Sequence, residues 1–365
     1  AIGVTLARTV GEDIDMARRR QAVTIKHVAA EAGVSLQTVS RVINHEPNVR
    51  PAMKEKVQGA IDKLGYVPSI AAQRMSGSRS YLILALNDRE RTIAEWSARQ
   101  GSDWVGQMLL GGMLKCAEHG YRLIVELIDT RTHHVERELA GAFAALQPDG
   151  VLLTPPHSED PVIIAFLEKQ GVPFARIGSR APGPGIPITM DDEGSARRAT
   201  QMLVDLGHRR IGFIAGAQEY SLSQRRADGW QDVMGESGLP VDGLLAQGDF
   251  SHASGLVGAR ALLSRDERPT AIIASSDQMA LATLDVAKEM GLEVPRALSV
   301  ISFDNSPAIR YANPSITAVD QPIADTVSRA VELIIAMKRT GEGPEEAIRV
   351  SGDLIAREST APPPS

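Results

Sequence analysis

The sequence predicts a small all-α head followed by a larger α/β body built from two doubly wound parallel-sheet subdomains. Residues 24–48 contain two short helical patterns that meet at a glycine, and from Tyr81 onward short apolar runs alternate with helical runs. Charge separates the same two regions, because residues 16–80 hold 11 Lys/Arg against four Asp/Glu although the whole chain has a net charge of −6. A basic region confined to one end of an acidic protein is typical of nucleic-acid binding.

The head begins with a helix that is predicted to start after Thr24, a residue type that caps helices. Gly33 is expected to end this helix, since glycine readily adopts the positive φ of a sharp turn between helices. Val34 is expected to fill the angle between the two helices, and Ser35 is placed to cap the second one. The apolar positions of the first helix recur at helical spacing: Ile25, Val28, Ala29 and Ala32.

The second helix is predicted over residues 36–43, with Val39, Val42 and Ile43 buried. The remaining side chains then point outward: Leu36, Gln37, Thr38, Ser40 and Arg41. Short hydrogen-bonding side chains with one arginine suit base edges and phosphates in a major groove. The pattern alone also fits a helical hairpin with an ordinary polar surface.

A third helix is predicted over residues 51–64, with Pro51 in its first turn. Residues 68–80 indicate a linker that contains a short helical stretch. Residues 1–20 are expected to be a flexible extension, in which the arginines at 18–20 are available for phosphate contact.

The body alternates apolar runs and helical patterns, which predicts parallel sheets covered by helices on both faces. Strands are expected at 81–86, 121–127, 151–153, 173–177, 186–190, 211–214, 271–274 and 298–303. Helices are expected at 105–119, 135–146, 161–170, 193–206, 224–236, 253–263, 278–290 and 323–338. Because these units exceed one comfortable sheet, we expect two subdomains with a cleft at the carboxyl ends of their strands.

Composition narrows the class of protein further. The single cysteine, Cys116, excludes an intrachain disulfide and fits a reducing compartment, and with no apolar run long enough to span a bilayer and no signal peptide we expect a cytoplasmic protein. Nucleotide-binding, nucleophile-elbow and zinc-protease motifs are absent, so no catalytic residue or cofactor is predicted. His133 and His134 are adjacent and would diverge on a helix, so no metal site is predicted either.

Several motifs resemble those of the LacI/GalR family of bacterial transcription regulators, over residues 23–357. The head carries V-T-I-K-x-V-A-x-x-A-G-V-S-x-x-T-V-S-R-V-I-N at 23–44. The body carries G-Y at 120–121, L-G-H-R-R-I at 206–211, Q-R-R-x-x-G-W at 224–230, S-D-Q-M-A at 276–280 and S-F-D-N at 302–305. The resemblance implies a homodimer, or a tetramer formed from two such dimers, whose helix-turn-helix heads bind a pseudo-palindromic DNA operator. It also implies a periplasmic-binding-protein-like core that senses a small molecule.

Carried over by position, the resemblance implies a set of DNA contacts. Base edges would be met by Leu36, Gln37 and Arg41, and phosphate or positioning contacts would come from Thr24, Ser35, Thr38, Ser40 and Asn44. Asn48 also falls on a DNA-contacting position. The linker would fold as a hinge helix on DNA, with Met75 as the minor-groove wedge where leucine is usual, so a more flexible wedge is expected. Two further departures are His27, where an acidic residue is common, and Arg50, where a Ser or Thr cap is expected.

For the cleft, the resemblance points to a pair, Arg226 and Asp304, that can grip vicinal hydroxyls, and to Phe250 as an aromatic wall for a sugar ring. The remaining implied contacts are Ser276, where Asn is frequent, together with Gln321, Asn87, Asp88 and Trp104. The segment 89–102 is longer than in many family members, so it is either a surface loop or a roof that fits a di- or oligosaccharide.

Together these features predict a transcriptional regulator, most simply a repressor of carbohydrate-utilisation genes that a mono- or oligosaccharide releases from DNA. The expected regions are the extension 1–20, the head 22–67, the hinge 68–80, an N-terminal subdomain of 81–188 with 322–340, a C-terminal subdomain of 189–320 with 345–357, and a disordered tail 358–365. The alternatives are a regulator that responds to a purine or a phosphorylated partner protein as co-repressor, a sugar-processing enzyme with an accessory head, and a transport-type binding protein. The sequence does not fix the sign of the response.

Overall fold

A computed structural model describes residues 23–43, 48–66, 79–98, 102–129, 134–344 and 346–364. The chain divides into two compact units between Ser80 and Tyr81. We call the first unit the head and the second the body, and describe each by itself.

The head contains the three expected helices, α1 (Ile25–Ala32), α2 (Leu36–Ile43) and α3 (Pro51–Leu64). Their shared core is small, with one fully buried valine from each helix: Val28, Val39 and Val57. Tyr66, which follows α3, closes this core. A core of this size leaves little stability in reserve.

Local hydrogen bonds explain why α1 and α2 meet where they do. Gly33 has a φ of +64°, and the next amide, Val34 N–H, donates to Ala29 O at 3.1 Å, which ends α1. Ser35 Oγ then accepts the Thr38 N–H at 3.1 Å and caps α2, so the expected turn and cap are confirmed.

The two unusual positions near helix starts behave differently. The Thr24 N–H donates to Nδ1 of His27 at 3.0 Å, so this imidazole replaces the acidic acceptor that is common at the third helical position. Arg50 precedes α3 without any capping hydrogen bond from its side chain. The first departure therefore preserves the cap, and the second loses it.

The body has two lobes, each built on a six-stranded sheet. The first sheet has the order β11-β5-β4-β3-β1-β2 and the second β12-β10-β9-β8-β6-β7. The strands of the first are β1 (Leu82–Asp88), β2 (Arg122–Ile128), β3 (Gly150–Leu153), β4 (Phe174–Ile177), β5 (Ile186–Met190) and β11 (Ile348–Val350). Those of the second are β6 (Ile211–Ala215), β7 (Leu245–Gln247), β8 (Ala271–Ala274), β9 (Ser299–Asp304), β10 (Thr317–Asp320) and β12 (Leu354–Ile355). All described pairings are parallel except that of β12 with β10.

Helices cover both faces of each sheet, as expected for parallel sheets. They are α4 (Arg89–Ala98), α5 (Ser102–Glu118), α6 (Val135–Leu146), α7 (Pro161–Gln170), α8 (Asp192–Asp205), α9 (Ser221–Glu236), α10 (His252–Leu263), α11 (Asp277–Glu289), α12 (Pro307–Arg310) and α13 (Ile323–Thr340). In the first lobe, α5 and α13 pack on one face and α6 and α7 on the other. In the second, α8 and α9 share one core and α10 and α11 the other.

The chain passes between the lobes after Met190, after Asp320 and after Val350. The assignment of 345–357 to the C-terminal subdomain is therefore wrong for β11, which pairs with β5 of the first sheet. Met190 likewise belongs to the first sheet, opposite Val350, so this lobe extends beyond residue 188. Only the short β12 of that final segment joins the second sheet, where it pairs with β10.

The expectation of a disordered tail at 358–365 is also wrong for its described part. Ser359 is fully buried, its hydroxyl donates to Val300 O at 2.6 Å, and the Val300 N–H returns a bond to Ser359 O. Ala361 O accepts from the Ser299 hydroxyl at 3.0 Å. A proline-rich composition hid these contacts, because the tail is held by backbone atoms and hydroxyls.

No helix within the described ranges is long and apolar enough to cross a membrane. In the same ranges, no three His, Cys, Asp or Glu side chains are grouped to hold a metal ion.

Candidate functional site

The outward face of α2 has the predicted composition. Val39 and Val42 are buried, whereas Leu36 remains 45 % exposed and Gln37 and Arg41 are exposed beside it. An exposed leucine flanked by a polar and a basic side chain is a surface that can contact DNA bases and phosphates.

The other head positions divide into two groups. Thr24, Ser35 and Thr38 take part in the hydrogen bonds that begin helices, with the Ser35 and Thr38 hydroxyls 2.9 Å apart. Ser40 is half-buried on α2, and Asn48 is exposed before α3. Asn44 and Met75 lie outside the described residues.

In the body, the cleft residues lie where strands end. Asn87 and Asp88 end β1, Asp304 ends β9, and Gln321 follows β10, whose last residue pairs in register with Asp304. Contacts between the lobes show that these ends face one another: Arg225 of α9 donates to Gly178 O, which follows β4, at 2.6 Å. The polar groups from both sheets thus meet at the cleft between the lobes.

Arg226 is held rigidly by its neighbours. Its Nε donates to the fully buried carboxylate of Asp192 at 2.9 Å, its Nη1 donates to Ser275 O at 2.8 Å, and its guanidinium lies 4.5 Å from the Phe303 ring centroid. Among the described residues, Nη2 has no protein partner. This arginine therefore combines a structural ion pair with one nitrogen free to bind a ligand.

Asp304 and Asp277 are two neighbouring carboxylates of the second lobe. The Asp277 N–H donates to Asp304 Oδ2 at 3.3 Å, while Asp277 itself accepts the Ser306 N–H at 2.6 Å and the Ser302 hydroxyl. Burial and then the charge of Asp304 raise the pKa of Asp277 to about 7. Burial also raises the pKa of Asp304, against the opposing charge of Arg226. One proton is thus readily held between two adjacent acids.

Phe250 forms an aromatic surface with Tyr220. The two rings meet edge to face with centroids 5.9 Å apart, and Phe250 has a φ of +72°. A Cβ at position 216 would lie 2.0 Å from the Phe250 ring, so glycine is required there for the ring to lie against the backbone.

The side chains of Ser276 and Gln321 differ in whether their hydrogen-bonding atoms are available to a ligand. The Ser276 hydroxyl donates to Phe250 O at 2.8 Å and accepts the Met279 N–H at 3.2 Å, so it caps α11 and fixes the backbone of Phe250. Gln321 is only 7 % exposed, and its Oε1 has no hydrogen-bond partner in the part of the chain that the structure describes. A buried amide oxygen without a partner is a costly group unless a ligand or water satisfies it.

The first lobe contributes residues with largely structural contacts. Asn87 Oδ1 accepts the Thr154 hydroxyl at 3.1 Å, and Asp88 caps α4 by accepting the Arg91 N–H at 2.7 Å. Trp104 packs, half-buried, against the core of this lobe.

The segment 89–102 contains the helix α4. The sequence alone does not distinguish between a surface loop and a roof over the cleft at this place. Arg91 of this helix reaches the second lobe, with its guanidinium 4.7 Å from the Tyr220 ring centroid.

Sequence reasoning missed Asp192, Asp277, Tyr220 and Arg91. Asp192 begins α8, where an acidic residue is ordinary, and Asp277 is one residue of the S-D-Q-M-A motif. Nothing in the sequence signals Tyr220 or Arg91, because their importance comes from a contact between lobes.

Comparisons with known proteins agree with this architecture. The family profile "Bacterial regulatory proteins, lacI family" matches residues 24–69, and "Periplasmic binding protein-like domain" matches 200–360. The HTH-type transcriptional regulator CelR of Thermobifida fusca is 34 % identical over 352 residues, covering 93 % of this chain and 99 % of that protein. Catabolite control protein A of Priestia megaterium is 32 % identical, covering 86 % and 91 %. A solved CelR–cellobiose complex superposes with a TM-score of 0.69 at 31 % identity, covering 92 % of this chain and 99 % of that one.

The relatives are transcriptional regulators, and the similarity spans both the head and the body. The chain therefore belongs to the LacI family of bacterial regulatory proteins, as a DNA-binding transcriptional regulator with a small-molecule effector.

Proposed function

We propose that this regulator is a repressor whose operator affinity falls when a neutral sugar binds between the lobes of the body. The observation that carries the proposal is that the second lobe holds two polar atoms without a hydrogen-bond partner among the described residues, Arg226 Nη2 and Gln321 Oε1, together with the Phe250 ring, which Arg91 of the first lobe reaches. Vicinal hydroxyls above an apolar ring face fit such a site.

Charge favours a neutral ligand over a phosphorylated one. Asp304 acts electrostatically on Asp277, and Asp103 acts on Asp304, whereas the charge of Arg226 is offset by Asp192. A phosphate or carboxylate group placed next to these acids would be repelled by them. This argues for a polyol and against a nucleotide.

For DNA, we propose that Leu36, Gln37 and Arg41 contact base edges, with Ser40, Asn44 and Asn48 near phosphates and Met75 as the minor-groove wedge. Thr24, Ser35 and Thr38 position the helices. The exposure of α2 supports the first assignment. Two heads binding related half-sites would give a pseudo-palindromic operator.

We also propose a homodimer. Leu110, Met113 and Leu114 lie on one face of α5 and are 50 %, 56 % and 59 % exposed. An apolar stripe of this kind on a soluble protein favours a protein partner. Sedimentation should show a dimer that Met113→Glu converts to monomer, and an unchanged sedimentation coefficient for that variant would argue against this face.

The sugar proposal is tested by selecting bound duplexes from a random pool with the full chain and then titrating the winning duplex with effectors. Cellobiose, glucose, hypoxanthine and guanine form the panel. We expect cellobiose or another sugar to release the duplex and the purines to have no effect. Release or tightening by a purine alone would instead support a purine-responsive regulator, and dependence on a phosphorylated protein would support the other alternative.

A further inference from the structure

Helix α4 is joined to both lobes by two arginines of its first turn. Arg89 pairs with Glu138 of α6 at 2.8 Å and donates to Leu127 O at 2.9 Å, which fixes the start of the helix to the first lobe. Two residues later, Arg91 extends to the second lobe, where its guanidinium lies 4.7 Å from the Tyr220 centroid and 5.4 Å from the Phe250 centroid. One short helix therefore bridges the cleft.

Apolar packing contributes little to the position of α4. Ile93 and Trp96 are 51 % and 50 % exposed, and Thr92 is the buried side chain among those described in this helix. The position of the helix across the cleft therefore depends on its polar contacts, above all those of Arg89 and Arg91.

The place that Arg91 occupies is the aromatic wall itself. Its guanidinium is attracted by the ring faces of Tyr220 and Phe250. Its positive charge also interacts with two carboxylates of the second lobe, Asp249 and Asp304. A flat ligand stacked on Phe250 and this guanidinium compete for one surface.

On the basis of the proposed function, we propose that Arg91 is a specificity-determining clasp, that is, a side chain that holds α4 to the second lobe. In the ligand-free chain it holds α4 against the Tyr220–Phe250 pair, and a sugar ring enters by taking its place. A ligand without an apolar ring face cannot replace the cation–π contacts that it breaks, so the clasp selects for ring-stacking sugars.

The test compares the full-length chain with Arg91→Met, which keeps an unbranched apolar stem and removes the guanidinium with its charge. Arg260→Met is the matched control, because Arg260 is 54 % exposed on α10 and its one ion pair within the described ranges is with Glu289. The first measurement is amide hydrogen exchange without ligand. Arg91→Met should speed exchange in α4 and also in residues 216–220 of the second lobe, whereas Arg260→Met should leave both segments unchanged.

The second measurement is calorimetric titration with cellobiose. Removing a competitor should tighten binding by Arg91→Met about tenfold, the change that 1.4 kcal/mol produces and one within the range of desolvated cation–π contacts. Unchanged hydrogen exchange in Arg91→Met would overturn the proposal that Arg91 is a clasp. Weaker binding of cellobiose by Arg91→Met would show that Arg91 contacts the ligand, and would overturn the proposal that the ligand displaces it. If neither protein binds cellobiose or any other sugar of the panel, the proposed ligand class fails, and the exchange comparison alone then decides whether the clasp exists.

Discussion

The head and the body present their binding groups in opposite ways. On α2, Gln37 and Arg41 point to solvent, and the core of the head is made by other residues such as Val39. In the body, Arg226 and Asp277 are almost fully buried and hold the second lobe together as well as facing the cleft. In the head, therefore, the side chains placed to bind a partner differ from those that form the core. In the body, the same side chains stabilise the fold and face the cleft.

The largest expected effect comes from breaking the buried ion pair of the body. Arg226→Ala removes the arginine that donates to the buried Asp192 carboxylate at 2.9 Å and, among the described residues, leaves it only Arg225, 3.6 Å away. This loss should lower the free energy of unfolding by about 3–5 kcal/mol. Urea denaturation of the full chain measures this change. Arg197→Ala removes a surface partner of Asp232 and Glu236 and should leave the free energy of unfolding nearly unchanged, because exposed ion pairs are screened by solvent. Equal losses of unfolding free energy for the two variants would contradict the claim that Arg226 stabilises the fold as well as facing the cleft.

The head should show the reverse behaviour. Gln37→Ala should weaken binding to a selected operator by about tenfold to a hundredfold, the size of a lost base contact of about 1–3 kcal/mol, and should relax preference at one base pair. Its denaturation curve should overlay that of the parent chain. A stability loss as large as that of Arg226→Ala would show that α2 is not a separable recognition surface.

The same contrast explains what the sequence could predict. The helices and caps of the head follow from residues adjacent in the chain, and Gly33 and Ser35 act as expected. Apolar runs also located helices such as 135–146 and 161–170 with their observed bounds. Short strands such as β7 and β11 were missed because they are partly exposed and too brief to show a pattern.

The cleft could be predicted only in part, because its residues come from distant segments. Motifs pointed to Arg226 and Asp304, but not to the buried Asp192 that anchors the arginine. Ser276 was expected to contact ligand, yet its hydroxyl already bonds to Phe250 O and caps α11. Helix α4 has the composition of a polar surface segment, so its bridging contact through Arg91 was invisible before folding.

A further effect should appear in how the stability of the body depends on pH. The folded chain holds a proton on Asp277 with a pKa of about 7, against 3.8 as its ordinary value. Because the folded state binds this proton more tightly, the free energy of unfolding should fall as pH rises from about 4 to about 7 and then level off. Asp277→Asn should flatten this decline in urea denaturation series. Asp232→Asn, on the surface, should leave the decline intact, and an equally steep decline in Asp277→Asn would assign it to another group.

The central claim is that a sugar in the cleft controls the affinity of the head for DNA, and Gln321→Met tests it most directly. This substitution removes an amide oxygen that no described residue hydrogen-bonds, so folding and sugar-free operator binding should be unchanged. Operator affinity is measured by fluorescence anisotropy at constant salt, with and without saturating cellobiose, for both chains. We expect the parent chain to lose about tenfold or more in affinity, within the usual 5–150-fold range of allosteric coupling. The variant should bind the operator equally well and require far more sugar for release. Operator affinity indifferent to every sugar of the panel, or a variant that responds like its parent, would contradict the account.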